Sequence, residues 1–518
     1  MQKKSVPSAS NAARAAIRTS CKFALAAVAM SLSATCLAAT VTFPSTGYDL
    51  ASAEDWGGTM PGTGDLLKFT TSATVTASND VEFAGLYVGA EDKTIVFDMR
   101  DAVSGGSPRR IKMNGNAYIL ENTWKAKYVL RGGFWDFSGK SVCAGLDNDY
   151  SGNNGTSATI DGGAVVICDS LAGRIGQTSS MNYVSVIGQG TVVTAKTVKV
   201  AQYTGKNNRF AFTDGAKVVL AGTGSALSLS AGDTEHMTSN GNSLRIADGA
   251  LLEQPTAGGT HTVGNAGKNN TLSVEDGGSV FLKGNLTLAY SDDGRAISSS
   301  GNRISVSGAG SRFVSTGEIL LGRGNASSAN SNNVISVSDG AVFTNAAFRL
   351  RGHDNGIVIS NATMRTTAGG IECIDASAGT ATNCFVRLQG RRPQLVLAGT
   401  NPNCNFRGSF RFEYDIPEEG YETVPVTLNE WARMAENTEF VVNGILELFD
   451  SMRKRGVKKV SYALLKANGG LNTNPTAPTA AMLERWNAQL PAGASLSYAN
   501  NTLTLTVKLQ QGIILFIL

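Results

Sequence analysis

The stretch that decides the fold runs from Asn207 to Leu220 and reads NNRFAFTDGAKVVL. Its wording returns as NSLRIADGALLEQ from Asn242, NTLSVEDGGSVFL from Asn270, NRISVSGAGSRFV from Asn302 and NVISVSDGAVFTN from Asn333. In each copy an Asp or Gly stands six residues after the last Asn: Asp214, Asp248, Asp276, Gly308 and Asp339. Weaker copies begin at Gly155, Asn182 and Asn355 and reach Asp161, Gly188 and Asn361. A more degenerate one starts near Asn383. Successive key positions lie 27, 26, 34, 28, 32, 31 and 22 residues apart. Self-similarity at such a period is the signature of a solenoid, in which each unit buries its apolar face only by stacking on its neighbours.

Within each copy, LRIAD, LSVED, ISVSG and ISVSD alternate apolar and polar residues, which is the period of a strand. A second short strand follows, as in KVVLAG, SVFLKG and RFVSTG. The Asp-Gly or Gly-Ala between them supplies a tight turn, because glycine accepts positive φ and aspartate bonds its own backbone. A repeat of 22–34 residues fits one coil of a right-handed parallel β-helix. The recurrent Asn has two readings: a ladder that bonds coil to coil, or a cap on its own local turn. A β-sandwich or a string of Greek-key domains would also give short strands, but the repeat period opposes it. High glycine (59 residues), few helical signals between residues 40 and 425, and a continuous series of turns all suit coiled β-architecture.

The repeats RIADGALLE, SVEDGGSVFLKGNLTLAYS and SVSDGAVFTNAAFRLRG, with GSRFVSTGEILLGRG, carry a resemblance. The chain resembles the passenger regions of autotransporter-like surface proteins and other secreted bacterial β-helix repeat proteins, over about residues 60–400. That likeness implies export, a pectate-lyase-like right-handed β-helix, and adhesion or a surface scaffold. It carries over no catalytic residue. It also stops at the passenger, since no run of amphipathic strands long enough for a membrane barrel follows residue 405.

The expected organisation has four parts. Residues 1–39 read as a signal peptide: Lys3, Lys4, Arg14, Arg18 and Lys22 precede the apolar FALAAVAMSLSATCLAA, with a small-residue cleavage site near Ala38 or Ala39. A lipoprotein reading of Cys36 is opposed by Ser33, where a large aliphatic residue is wanted. Removing five basic residues leaves 40 Lys and Arg against 41 Asp and Glu, so the formal +4 falls to near −1. The basic balance belongs to targeting, and no nucleic-acid partner is implied. Residues 40–150 form an N-terminal cap and irregular first coils, 151–404 the repeat β-helix, and 405–518 a small C-terminal α+β cap or module. Helices are expected near 428–442, 445–456 and 478–490, and a strand turn at Asn500 and Asn501. The closing GIILFIL is too short to span a bilayer as a helix.

Chemistry is sparse. Cys143, Cys168, Cys373, Cys384 and Cys404 lie beyond the signal; Cys373–Cys384 or Cys384–Cys404 are possible disulfides, and buried thiols are the other reading. His236, His261 and His353 form no metal-binding pair, and no phosphate-binding glycine loop is present. Trp124, Phe134, Trp135 and Phe137 read as cap or core residues, or alternatively as a surface sugar platform. Carboxylates from neighbouring coils can serve glycoside hydrolysis, or hold calcium while a basic side chain takes a sugar proton. The candidates are Asp214, Asp248, Asp276, Asp339, Asp292 and Asp293, but a recurring Asp-Gly is first a turn device. The expected function is a secreted or cell-surface structural or adhesive protein without a cofactor, contacting an extracellular polysaccharide or surface component. The alternative is a polysaccharide lyase or glycoside hydrolase. Its sites would lie where the repeat is interrupted, in the 34-residue gap before Asp248 and the 32-residue gap before Gly308.

Overall fold

A computed structural model describes residues 39–509 except 45–47, 90, 102, 105–106, 120–124, 146–154, 174–180, 202–204, 231–238, 291–298, 324–329, 374–380, 399–402, 407–408, 429–432, 435–436 and 469–477. The signal-like segment, Trp124, His236, Asp292, Asp293 and the closing apolar run therefore lie outside the described residues.

The chain is an all-β parallel solenoid. One face is a 14-stranded sheet whose strands follow one another in chain order, one per coil. The rest of each coil contributes to a 28-stranded sheet. In the coil that begins at Asn242, Ser243–Ile246 lies in the first sheet, while Leu251–Glu253 and His261–Asn265 lie in the second. Pairing is parallel and in register: Ser243 faces Thr271, Thr271 faces Arg303, and Arg303 faces Val334. These partners are spaced by the same 28, 32 and 31 residues as the key positions, so the repeat spacing is the coil length. A sandwich would need antiparallel neighbours, and these are parallel.

Two corners bracket each strand of the first sheet. At the second corner, Asp214, Asp248, Asp276 and Asp339 have φ of 57°, 54°, 51° and 56°, and the glycine after each is also positive. Ala216 N donates to Thr213 O (3.1 Å) and Ala341 N to Ser338 O (3.1 Å), closing type I′ turns. Gly308 and Asn361 occupy the same place with φ of 88° and 49°. Asp, Asn and Gly alternate there because these residues tolerate the left-handed region. The turns also stack, with Gly215 N donating to Asp248 O at 2.9 Å and Gly340 N to Asn361 O at 2.8 Å.

The first corner explains the doubled asparagines. Asn207, Asn269 and Asn332 have φ of 56° to 57° and make the bend. The next residue, Asn208, Asn270 or Asn333, turns inward and is 0–1% exposed. These inward residues form a continuous ladder. The backbone N–H of Asn182, Asn208, Asn242, Asn270, Asn302 and Asn333 donates to Oδ1 of the next coil's Asn at 2.8–3.1 Å. From Asn208 to Asn333 the side-chain Nδ2 donates to the same oxygen at 2.9–3.1 Å. Of the two readings of the repeated Asn, the coil-to-coil ladder is the one observed. It ends at Thr156, whose hydroxyl meets Asn182 Oδ1, and in the coil of buried Cys384, whose thiol points to Gly352 O.

Inside the first coils the filling is aromatic. Phe43 meets Trp56 at 4.5 Å and Phe69 at 5.2 Å, Phe69 meets Phe97 at 5.1 Å, and Phe97 meets Trp135 at 5.8 Å. Trp135 and Phe137 are fully buried, so they are core and not a surface sugar platform.

The parallel ladder continues through Phe410–Asp415 and Thr438–Asn443 before helices begin. The helix expected over 428–442 is replaced by strands at Arg433–Met434 and Thr438–Asn443. Thr438 and Phe440 are buried alternately and pair with Phe410 and Phe412, and this ladder overrides local helix preference. The two other expected helices form. Helix α1, Ile445–Arg455, buries Ile445, Leu448, Phe449 and Met452 along one stripe and ends at Gly456 with φ 68°. Helix α2, Ala480–Asn487, is capped by Thr479 Oγ1, which accepts from Met482 N at 3.2 Å. Its Trp486 packs on Phe440 at 4.5 Å and donates to Thr438 O at 3.0 Å, closing the open end of the core. Strands Ala494–Ala499 and Thr502–Lys508 form an antiparallel hairpin turned by Asn500 and Asn501.

Candidate functional site

The repeat aspartates are brought into one row along the second corner, a coil apart. They do not converge. Arg245 sits among them, 3.5 Å from both Asp248 Oδ2 and Asp276 Oδ2 and hydrogen-bonded through Nε to Glu275. The positive charge between those carboxylates is thus a guanidinium of the chain itself. Among the described residues no group of three or more His, Cys, Asp or Glu is arranged to hold a metal ion.

Elsewhere on the outer faces, carboxylates are paired along the stacking direction. Arg131 holds Asp161 of the next coil through two bonds of 2.8 Å. Lys112 Nζ donates to Glu82 at 2.7 Å, and Arg110 to Asp136. Glu413, 6% exposed, is held by Arg387 Nε at 2.7 Å and Arg411 Nε at 3.0 Å. Hydrogen bonds from Lys112 hold the Glu82 carboxyl below its usual range, and those from Arg392 do the same for Glu422. Asp136 is also lowered: burial raises it, but bonds from Ser138 and Arg110 outweigh that. A general acid for glycoside cleavage needs the opposite displacement.

Among the described residues the histidines do not form a catalytic pair. His353 touches Thr382 through Nδ1. His261 is fully buried within a polar network: Leu227 N donates to its Nδ1 at 3.1 Å, and its Nε2 meets Gln254 Oε1 at 3.0 Å. Gln254 Nε2 in turn donates to Ser225 O at 3.0 Å and Oγ at 2.9 Å, and Lys283 N donates to Gln254 Oε1 at 2.7 Å. An Nδ1 that accepts from a backbone N–H fixes the neutral tautomer with the proton on Nε2. Burial pulls this imidazole down to about 4 from the ordinary 6.5. Cys143, Cys168, Cys373 and Cys384 are buried, and Cys384 is in no disulfide, so neither proposed pairing of Cys384 is present. Burial drives the Cys168 thiol up to about 12, which makes it inert at neutral pH.

The concave feature of note lies over the first coils. A cleft of about 350 Å³ is lined by Thr74, Thr76, Ser78, Asp98, Asp101 and Arg109, with buried Ala77 beneath. Thr74, Thr76 and Ser78 project from one face of a single extended stretch, at alternate positions. Asp98 comes from the neighbouring coil, whose strand pairs Thr74 with Val96. Two bonds from Arg100, at 2.9 and 2.6 Å, hold the Asp98 carboxyl below its usual range. Sequence reasoning did not single out these residues. They come from three separate places, 74–78, 98–101 and Arg109, and belong to the irregular coils, where no repeat marks a shared face.

No protein-family model, curated protein or solved structure matches this chain. Among the described residues, no helix is long and apolar enough to cross a membrane.

Proposed function

We propose that this chain is a secreted or cell-surface structural and adhesive solenoid, of the autotransporter-passenger kind, that binds glycan or surface partners without turnover. The observation that carries this reading is the in-register outer face. Ser273, Ser305 and Ser336 stand on successive coils, flanked by Thr271, Arg303 and Val334 in the neighbouring column. Such a face repeats a serine on these three coils, about 4.8 Å apart, within a column that also carries Arg245 and Arg387, and so offers several weak contacts to a repetitive partner. The basic and apolar composition of residues 1–39 supports export. Against the hydrolase reading stand the salt-bridged carboxylates, of which Glu82, Asp136 and Glu422 are held in the ionised form by their partners.

The test is a glycan array probed with the purified full chain, run beside a reducing-end release assay on the glycans that bind. Binding without release is expected. Release with turnover would replace this reading by the hydrolase or lyase one. Fractionation of producing cells tests export: the chain is expected outside the inner membrane, and a soluble cytoplasmic pool alone would overturn that part.

A further inference from the structure

We infer that the cleft over the first coils binds an uncharged pyranoside unit, with Arg109 as its principal hydrogen-bond donor; this assignment rests on the adhesive reading above. The first reason is Arg109 itself. It lines the cleft, and its guanidinium makes no ion pair among the described residues. A guanidinium is always charged and presents several N–H donors in a fixed fork, so one in the wall of the cleft offers donors to a ligand.

The second reason is charge balance. Asp98 is neutralised by the two bonds from Arg100, which leaves Asp101 against Arg109. Among the described residues the lining therefore has no net charge to favour an anionic or cationic ligand. The third is the mixture of donors and acceptors. Thr76 Oγ1 donates to Tyr48 O at 3.1 Å, so it offers its lone pairs to the cleft. Thr74 and Ser78 lie about 7 Å to either side of it along the extended chain, and hydroxyls both donate and accept. A ligand that satisfies this set must carry several groups that donate and accept at close spacing without charge. A sugar ring does so. The volume stands at the lower end of the range for small-molecule sites, roughly 300–1,000 Å³, which suits one or two rings and not a long chain segment.

The wall is also fixed before any ligand arrives. Thr76 N donates to Tyr48 O at 2.6 Å, and Ser78 N and Ala51 N both donate to Asp49 Oδ1, at 3.0 and 2.8 Å. Preorganisation of this kind lowers the ordering cost of binding.

The experiment is calorimetric titration of the full chain with cellobiose, maltose and lactose, and with digalacturonic acid as the charged probe of equal size. At least one neutral disaccharide is expected to bind saturably, and more tightly than digalacturonate. Arg109→Ala is expected to weaken it at least about tenfold, the loss of a charged-donor hydrogen bond. Arg109→Lys should recover part of that loss, with the melting temperature of both variants unchanged. Thr76→Val, at an exposed position, gives a second variant should Arg109→Ala fold poorly, and it too should weaken the neutral sugar. Absence of saturable binding by all three neutral sugars, undiminished binding in Arg109→Ala, or tighter digalacturonate binding would each overturn the assignment. The two readings fail separately. If Arg109→Ala keeps full array binding without release, the cleft falls and the adhesive scaffold stands. If the wild-type chain releases reducing ends, the adhesive reading falls whatever the disaccharide titration gives.

Discussion

The coils between Asn182 and Asn355 and the coils between Phe43 and Phe137 stack by the same parallel pairing, yet they are filled differently. The middle coils carry mostly aliphatic side chains such as Leu244, Leu272, Ile304 and Ile335, with scattered phenylalanines such as Phe313 and Phe343, beside a spine of buried amides. The first coils have no such spine. They hold Phe69, Phe97 and Trp135 in edge contact and add ion pairs on the outside, such as Arg131 with Asp161. The difference teaches where specificity of register comes from. A ladder of Asn fixes each coil at one height, because each Oδ1 must meet two donors from the preceding coil. Aromatic packing accepts more variation, and the sequence of the first coils is correspondingly irregular. That irregularity is also what opens the cleft.

The largest effect is expected on the aromatic side. Trp135→Ala removes a fully buried ring and should cost about 4 kcal/mol, read from chemical denaturation. On the ladder side, Asn270→Ala strands the buried backbone N–H of Asn242, whose side-chain amide keeps Gly205 O and Ser239 Oγ, at about 2 kcal/mol. A loss no greater than that of an exposed Asn would show that the ladder is incidental to stability. Double replacement of Asn270 and Asn302 should fall short of the sum, because the two share bonds.

Acid separates the regions as well. His261 has an ordinary value of 6.5 when unfolded and about 4 when folded. Between those values the unfolded chain binds more protons, so stability falls as pH drops from 6.5 through 4 and is full above 6.5. The difference corresponds to about 3 kcal/mol. Comparison of wild type with His261→Gln isolates this from carboxylate titration: the variant should lack that slope, and parallel pH profiles would refute the assignment. Smallest is the turn row. Asp276→Ala leaves a residue in the left-handed region without the short polar side chain that makes this conformation tolerable, at about 1 kcal/mol, whereas Asp276→Gly should be within about 0.5 kcal/mol of wild type. Glycan binding should be unchanged in both, since this aspartate shapes a corner.

Much of this was legible in the sequence. A parallel stack admits one register per coil, so the intervals between Asp248, Asp276, Gly308 and Asp339 had to be coil lengths. The restriction to Asp, Asn and Gly at that corner reflects φ, a local property that any sequence carries openly. Helices α1 and α2 form within the ranges expected for them near 445–456 and 478–490. Three things required the tertiary structure. It alone separates Asn207, which bends the chain, from Asn208, which turns inward and bonds across 34 residues. It alone makes Thr438–Asn443 a strand, because the partner edge at Phe410–Asp415 outbids a local helical preference. And it alone sets Arg109 and Asp98 beside Thr76. Local dihedral preference and stacking period are written along the chain; burial, and the company a side chain keeps across coils, exist only once the coils have stacked.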